Sequence, residues 1–233
     1  MSCHVSPRST MNCVITIDGP TASGKGSIAK AIAAHMDYFY LDTGLLYRAM
    51  GYLTSQDYSR EEIYLAVFWT PELVERYKAR LTYSYGDGRA TIFVDGVDVT
   101  MQLRTPEVDW SSSHVSSVPL VRMGLRALQR ELGGRHNIVI DGRDCGTVLF
   151  PQAQHKFFIT ADFNMRVCRA QADKLRQAQG MSQEEIAAAV LMRDMRDLTR
   201  PISPLRPAED AVILDTTRLS LEACVTLVLS YLL

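Results

Sequence analysis

Residues 12–18 read Asn-Cys-Val-Ile-Thr-Ile-Asp, and residues 19–27 continue Gly-Pro-Thr-Ala-Ser-Gly-Lys-Gly-Ser. The first run is short, apolar and rich in β-branched residues, which suits a strand buried on both faces of a parallel sheet. The second places four residues between Gly19 and Gly24 and follows them with Lys25. Ile28, Ala29, Ile32, Ala33 and Met36 then recur with a helical period, which predicts a helix over Ser27–Met36 with its apolar stripe on the sheet. Strand, glycine loop and helix in that order bring the backbone N–H groups of Gly19, Thr21, Ala22, Ser23, Gly24, Lys25, Gly26 and Ser27, with Pro20 between the first two, toward one point at the positive end of a helix. Proline contributes shape there but no donor. Lys25 adds a point charge for β- and γ-phosphates, so the expected ligand is a nucleoside triphosphate; the competing reading is an ordinary glycine-rich turn. Gly26 stands where a Ser or Thr usually follows the lysine. The hydroxyl is delayed to Ser27, which argues against direct metal ligation there and leaves Ser27 or Asp141 to act through water.

Outward from this unit, strand signals return at Tyr38–Leu41, Asn137–Asp141, His155–Thr160 and Ala211–Asp215, with helical patterns between most of them. That alternation predicts an α/β fold. Residues 79–100 differ: period-2 and aromatic residues, punctuated by Gly86-Asp87-Gly88 and Asp95-Gly96, predict a small antiparallel meander in a separate lobe. From Phe163 to Pro207 charged residues, Gln and Ala dominate, and Gly180 separates two helical stretches. Ser182 and Glu185 have capping-box spacing, and Pro201 ends the second helix. A last helix, about Leu219–Leu233, is apolar enough to dock on the core and too short to span a bilayer. The expected organisation is a flexible lead-in over 1–10, core over 11–55, an inserted lobe over 56–133, core over 134–162, a helical lid over 163–207 and core over 208–233.

A chain of 233 residues with 47% hydrophobic content can build one substantial core. Lys plus Arg number 25 against 26 Asp plus Glu, so overall charge argues against a nucleic-acid or membrane-surface binder, and anions must be held by local clusters. Cys3, Cys13, Cys145, Cys168 and Cys224 are odd in number and without C-x-x-C spacing, which fits a reducing compartment. No apolar run approaches a membrane span and no signal-peptide core is visible, so a cytoplasmic protein is expected. The dispersed His4, His35, His114, His136 and His155 give no metal-ligand pattern.

Three further stretches carry chemistry. Residues 41–48 gather Thr43, Gly44 and Arg48 after a strand, as either an anion grip or a plain strand-to-helix connection. Asp141-Gly142-Arg143-Asp144-Cys145-Gly146-Thr147 leaves a buried strand at its carboxyl end, where α/β folds gather ligands. Asp141 would lie near a Mg2+–ATP complex, Arg143 would hold phosphate and Asp144 would accept from an amino group; the alternative is a turn with an internal ion pair. Arg193, Asp194, Arg196, Asp197 and Arg200 sit near the end of the charged helix, where spacings of three, four and seven place Arg193, Arg196 or Asp197, and Arg200 on one broad face, read either as a solvated surface or as the cations of a closing lid.

Taken together, ITIDGPTASGKGSIAK, YLDTGLLYR, IDGRDCGTVLFP, RDMRDLTRPISPL and DAVILDTT closely resemble the bacterial cytidylate kinases, in family order from about Met11 onward. The resemblance implies a P-loop parallel sheet flanked by helices, an inserted monophosphate-binding lobe containing the β-meander, and a helical lid. It implies Mg2+-dependent transfer of the γ-phosphoryl group of ATP to CMP or dCMP by a monomer, with neither nucleic acid nor membrane as partner. Carried over by motif, Ser113, Arg122 and Asp144 would recognise cytosine, and Arg193 and Asp197 would face the acceptor sugar. Arg48, Arg143 and Arg200 would hold phosphates with Thr43 nearby, and Arg196 would be a further lid cation. Lys25, Arg143, Arg193 and Arg200 would neutralise charge during transfer. The serine-rich run SSSHVSS at 111–117 leaves a one-residue shift around Ser113 open. Leu45 stands where the family usually has alanine and would narrow the acceptor pocket. Cys145 replaces a usual aliphatic residue and is read as packing. Two rivals remain: a small P-loop kinase with a different acceptor, and a nucleotide-dependent switch, which would have no use for a second phosphate pocket.

Overall fold

A computed structural model describes residues 12–172 and 180–232 of the chain. The expected lead-in over 1–10, with Cys3 and His4, and residues 173–179 of the expected lid lie outside the described residues. Strand β1 (Val14–Asp18) passes through the glycine loop into helix α1 (Lys25–Met36), followed by β2 (Phe39–Asp42) and α2 (Thr43–Asp57). The middle of the chain supplies α3 (Arg60–Leu65), α4 (Pro71–Lys78), β3 (Leu81–Gly86), β4 (Arg89–Val94), β5 (Val97–Asp98), α5 (Pro106–Val115) and α6 (Pro119–Arg135). Then come β6 (Ile138–Gly142), β7 (His155–Thr160), α7 (Phe163–Gln171), α8 (Gln183–Thr199), β8 (Val212–Asp215) and α9 (Leu221–Ser230).

The main sheet has the order β2-β6-β1-β7-β8, and every pairing in it is parallel. β1 is central and buried at all five positions, as its unbroken apolar run requires. Alternate side chains of the sheet feed two cores. Ile15, Ile17, Val139 and Phe157 pack with Ile28 and Ile32 of α1 and Val228 of α9, whereas Val14, Leu41, Ile138 and Ile140 pack with Leu46 and Met50 of α2 and Val121 of α6. Each fully buried aliphatic side chain contributes about 1.5–3 kcal/mol before entropy is counted. The register sets Ile17 opposite Asp141, Asp18 opposite Gly142 and Asp42 opposite Asp141, so three carboxylates reach one end of the sheet together.

The meander forms the expected second, antiparallel sheet, β3-β4-β5. Its turns are made by Asp87-Gly88 (φ 50 and 68) and Asp95-Gly96 (φ 50 and 80), consecutive left-handed residues that match the twist of a tight hairpin. Tyr83 ties it to the main sheet, because its hydroxyl donates to Tyr40 O and accepts from Asp42 N, each at 2.9 Å.

Several boundaries differ from the sequence expectation. α1 begins at Lys25, two residues before the expected Ser27, because Gly24 (φ 92) takes the left-handed cap and the lysine already lies in the first turn. The final helix runs only from Leu221 to Ser230, since the Ser220 hydroxyl accepts from Ala223 N and sets the start there. The capping box at Ser182 and Glu185 is present in both directions, and α8 stops at Thr199, just before Pro201.

α2 and α5 approach closely at Gly51. A Cβ there would lie 2.6 Å from Ser112 N and 2.8 Å from Ser111 Oγ, and the nearest obstacle is backbone that cannot rotate away. Gly51→Ala gains about 1 kcal/mol of helix propensity but forces overpacking costing about 1–3 kcal/mol. The expected net result is a thermal midpoint lowered by about 2–4 °C for each kcal/mol lost; a raised midpoint would show that the two helices separate freely.

Candidate active site

At the carboxyl end of the main sheet lies one cavity of about 560 Å³, whose wall joins the glycine loop to the start of α2, the turn after β6 and the end of α8. Thr21, Ala22, Ser23, Gly24, Lys25 and Ser27 form its loop side. Gly19, Pro20 and Gly26, expected to belong to the same site, are not among its lining residues. A Cβ on Gly19 would sit 2.1 Å from Ile159 O, so glycine is required for the loop to pass β7. Pro20 O accepts from Lys25 Nζ at 3.0 Å, which folds the lysine over the loop. Ala22 packs against the small core between α7 and α8 formed by Val167, Ala170, Ile186 and Val190.

The opposite side of the cavity is cationic and is held together by buried carboxylates. Arg143 Nε donates to Asp197 Oδ2 at 2.7 Å, and its Nη2 reaches Thr21 Oγ1 at 3.4 Å. Arg200 Nη1 donates to Asp197 Oδ1 at 3.4 Å, its Nη2 is 3.7 Å from Asp144 Oδ1, and its Nε is spent on Ser203 O at 2.6 Å. Arg122 Nη2 donates to Asp144 Oδ2 at 2.5 Å, and its Nη1 to Ser116 O at 3.1 Å. Asp144 and Asp197 are thus two buried counter-ions shared among three guanidinium groups. Arg193 also lines the cavity, and among the described residues its side chain has no hydrogen bond or ion pair to protein.

Thr43 opens α2 and donates to Asp141 O at 2.8 Å, while Asp42 caps the helix by accepting from Leu45 N at 3.2 Å. Arg48, one turn further on, donates to Leu103 O at 2.9 Å and pairs with Asp109 of α5. Leu45 faces the cavity, as does Tyr47, over whose ring the Arg122 guanidinium lies at 5.3 Å. Ser113 is buried, and its hydroxyl accepts from Arg196; the cavity wall is made instead by Ser112 and Ser116. Cys145 is fully buried, and its thiol is pushed well above its ordinary pKa by burial and by Asp18, consistent with packing rather than reactivity.

The electrostatics suit an anionic ligand. Burial, with Arg143 beside it, pulls the Lys25 amine down to about 7, and burial with Arg143 pulls Arg193 down to about 10. An anion placed between them would reverse both trends. Asp141 moves up to about 7 through burial and the neighbouring Asp42, and it accepts from Tyr40 OH at 2.9 Å. Burial would raise Asp197 too, but Arg143, Arg193 and Arg200 outweigh it and hold the carboxyl below its ordinary value.

Asp194, already part of the charged helix read from the sequence, and several residues the sequence did not single out complete the arrangement. Asp194 Oδ1 accepts from Thr21 N at 3.0 Å and its Oδ2 pairs with Arg166, whose Nη1 also donates to Thr21 O at 3.0 Å. Helices α7 and α8 therefore grip the loop by both sides of one residue. Arg169 donates to Ser23 O at 3.0 Å and to Thr216 O at 2.7 Å, closing the far end of the loop. Arg104 and Tyr47 line the cavity beside Arg48. Only the three-residue spacing of Arg166 and Arg169 on an otherwise mixed helix hinted at a shared task.

A family model described as cytidylate kinase matches residues 15–232. The chain is 40% identical over 222 residues to the cytidylate kinase of Desulfitobacterium hafniense (strain Y51), covering 94% of this chain and 92% of that one. It is 38% identical over 218 residues to the cytidylate kinase of Coxiella burnetii (strain RSA 493 / Nine Mile phase I), covering 94% and 91%. It is also 40% identical over 223 residues to a bifunctional pantoate ligase/cytidylate kinase of Synechococcus sp. (strain JA-3-3Ab); the match takes in 92% of this chain and spans only 39% of that protein.

Proposed function

The chain belongs to the cytidylate kinase family, and from that premise we propose that it transfers the γ-phosphoryl group of ATP to CMP or dCMP, giving ADP and CDP or dCDP. The observation that carries the reading is the single cavity in which a phosphate-binding loop faces a cluster of arginines arranged around Asp144 and Asp197. One anionic nucleotide is cradled by the amides of the loop and Lys25. The other is held by Arg48, Arg143 and Arg200, with Thr43 beside its phosphate.

An oxygen of the acceptor phosphate attacks the γ-phosphorus in line; the new P–O bond forms as the bond to the β-phosphate oxygen breaks, and the displaced oxygen leaves on ADP. No side chain need become covalently attached, since catalysis rests on alignment and charge neutralisation. Lys25, Arg143, Arg193 and Arg200 converge on the charge that spreads over the migrating group. Asp194 and Arg166 hold Thr21, so the loop keeps its shape as the lid packs down. In this reading residues 56–133 form the monophosphate-binding lobe and 163–207 the lid.

The acceptor base is read by Asp144 and Arg122, with a serine of the 111–117 run beside them. Cytosine offers an exocyclic amino donor next to acceptors, which a carboxylate and a guanidinium can pair edge-on. Asp144 commits Oδ2 to Arg122 and keeps Oδ1 at a looser 3.7 Å from Arg200, leaving that oxygen able to accept from an amino group. Asp197, between Arg143 and Arg200, would take a sugar hydroxyl together with Arg193.

Mg2+ would shield the β- and γ-phosphate charge. Among the described residues no group of three or more His, Cys, Asp or Glu could hold a metal ion. Ser27, which lines the cavity, and Asp141 would hold it through water. No helix among the described residues is long and apolar enough to cross a membrane. Balanced charge and family membership favour a cytoplasmic monomer whose partners are two nucleotides rather than nucleic acid or membrane.

The test is Asp144→Ala assayed with CMP and UMP. A lost charged hydrogen bond is worth about 1.5–3 kcal/mol, so the CMP-over-UMP ratio of kcat/KM should fall by about ten- to hundredfold. An unchanged ratio would remove Asp144 from base reading.

A further inference from the structure

Asp18 ends β1 one residue before Gly19 and takes no part in the transfer just described. It is buried, 4% exposed, and among the described residues it forms no ion pair. Its two oxygens are used on the neighbouring strand's exit: Oδ1 accepts from Cys145 N at 2.9 Å and Oδ2 from Gly146 N at 2.8 Å. These amides directly follow Asp144 and open the turn Cys145–Leu149, which is wound wider than an α-helix, with Leu149 N donating to Asp144 O at 3.1 Å and Phe150 N to Cys145 O at 2.8 Å. Successive amides on the two oxygens of one carboxylate fix both the height and the rotation of that turn against β1.

The turn has little room to settle elsewhere. A Cβ on Gly142 would meet Cys145 Sγ at 2.6 Å and Thr43 Oγ1 at 2.7 Å, and one on Gly146 would meet Thr16 Oγ1 at 2.8 Å. Holding a carboxylate in such a place costs stability, and burial raises its pKa to about 6 although both amide bonds favour the charged form. Asparagine would fill the same volume without the charge, but its amide group would turn a donor toward one of the two N–H groups.

We infer that Asp18 is a positioning residue for acceptor recognition: through the Cys145 and Gly146 amides it sets Asp144 and Arg143 at a fixed distance from the loop that begins at Gly19. The inference rests on the reading that Asp144 faces the acceptor base. It explains why the carboxylate belongs to the donor-side strand while its contacts lie on the acceptor side.

The experiment is steady-state kinetics of Asp18→Asn with CMP, UMP and ATP each varied, beside Asp144→Ala and the double variant. Expected are a KM for CMP raised about tenfold or more by the donor left facing a donor, a reduced CMP-over-UMP ratio, and a KM for ATP changed by less than about threefold. Because Asp18 acts through Asp144, the double variant should lose no more base selectivity than Asp144→Ala alone. Equal rises in both KM values, additive losses of selectivity, or a lowered thermal midpoint with unaltered kinetic constants would overturn the inference. Gly146→Ala presses the same turn against Thr16 and Lys156 with Asp18 intact, and the same acceptor-only pattern is expected. If Asp18→Asn does not fold, unchanged CMP constants in Gly146→Ala overturn it instead. Should Asp144→Ala itself keep the CMP preference, base reading by Asp144 fails, while the KM values of Asp18→Asn still decide whether Asp18 positions the acceptor side.

Discussion

Lys25→Ala should lower kcat/KM for CMP phosphorylation by about 10²–10³-fold or more, the range seen when one preorganised donor to developing charge is removed. The lysine is 8% exposed and bent over the loop toward Pro20 O. In that position its charge is disfavoured by burial and by Arg143, so it is poised to gain most from a phosphate oxygen. The fold should survive. With its pKa drawn from 10.5 down to about 7, the amine binds fewer protons in the folded chain than in the unfolded chain between those values. Stability contributed by this site therefore rises with pH across that window, and below it the buried ammonium is a net cost that alanine removes. The thermal midpoint of Lys25→Ala at pH 7 should not fall below that of the parent. A variant with near-parental turnover would show that the loop does not hold the transferred phosphate.

Arg200→Ala should be comparably damaging, by about 10³-fold in kcat/KM, within the range of a single cation on a migrating phosphoryl group. The guanidinium is 6% exposed and lies between Asp197 and Asp144, so it serves the phosphate and also keeps two carboxylates from repelling each other. Unlike the lysine, it should cost stability when lost, because two buried anions give up a partner while Arg143 and Arg122 remain. Arg200→Lys restores the charge but cannot span Ser203 O and both carboxylates at once, so it should recover little activity. The deficit should persist at saturating CMP and ATP. A loss confined to KM would assign Arg200 to binding alone.

The loop was legible in the sequence because everything it needs is contiguous: the strand before it, two glycines at the required spacing, the lysine and the helical period after it. The parallel sheet and the hairpins at Asp87-Gly88 and Asp95-Gly96 were legible for the same local reason. The acceptor side was legible mainly through the resemblance, since nothing near Arg48 encodes its pairing with Asp109, and nothing near Arg143 encodes its bond to Asp197, 54 positions away. Nothing near Asp18 in the sequence marks it for the turn after β6; the sheet register puts Gly142 beside it. The grip of Arg166 and Asp194 on Thr21 arises only when α7 and α8 pack together. Around Ser113, a run of serines with one helical turn to share offers no local rule for which hydroxyl faces inward; the wall residues are Ser112 and Ser116.

The most direct test is coupled measurement of ADP release from ATP with CMP, dCMP, UMP, AMP or no acceptor added. The account predicts that CMP and dCMP drive rapid, stoichiometric ADP formation, UMP much less, and that AMP leaves the rate near that without acceptor. ADP release as fast without acceptor as with CMP, or fastest with AMP, would contradict it.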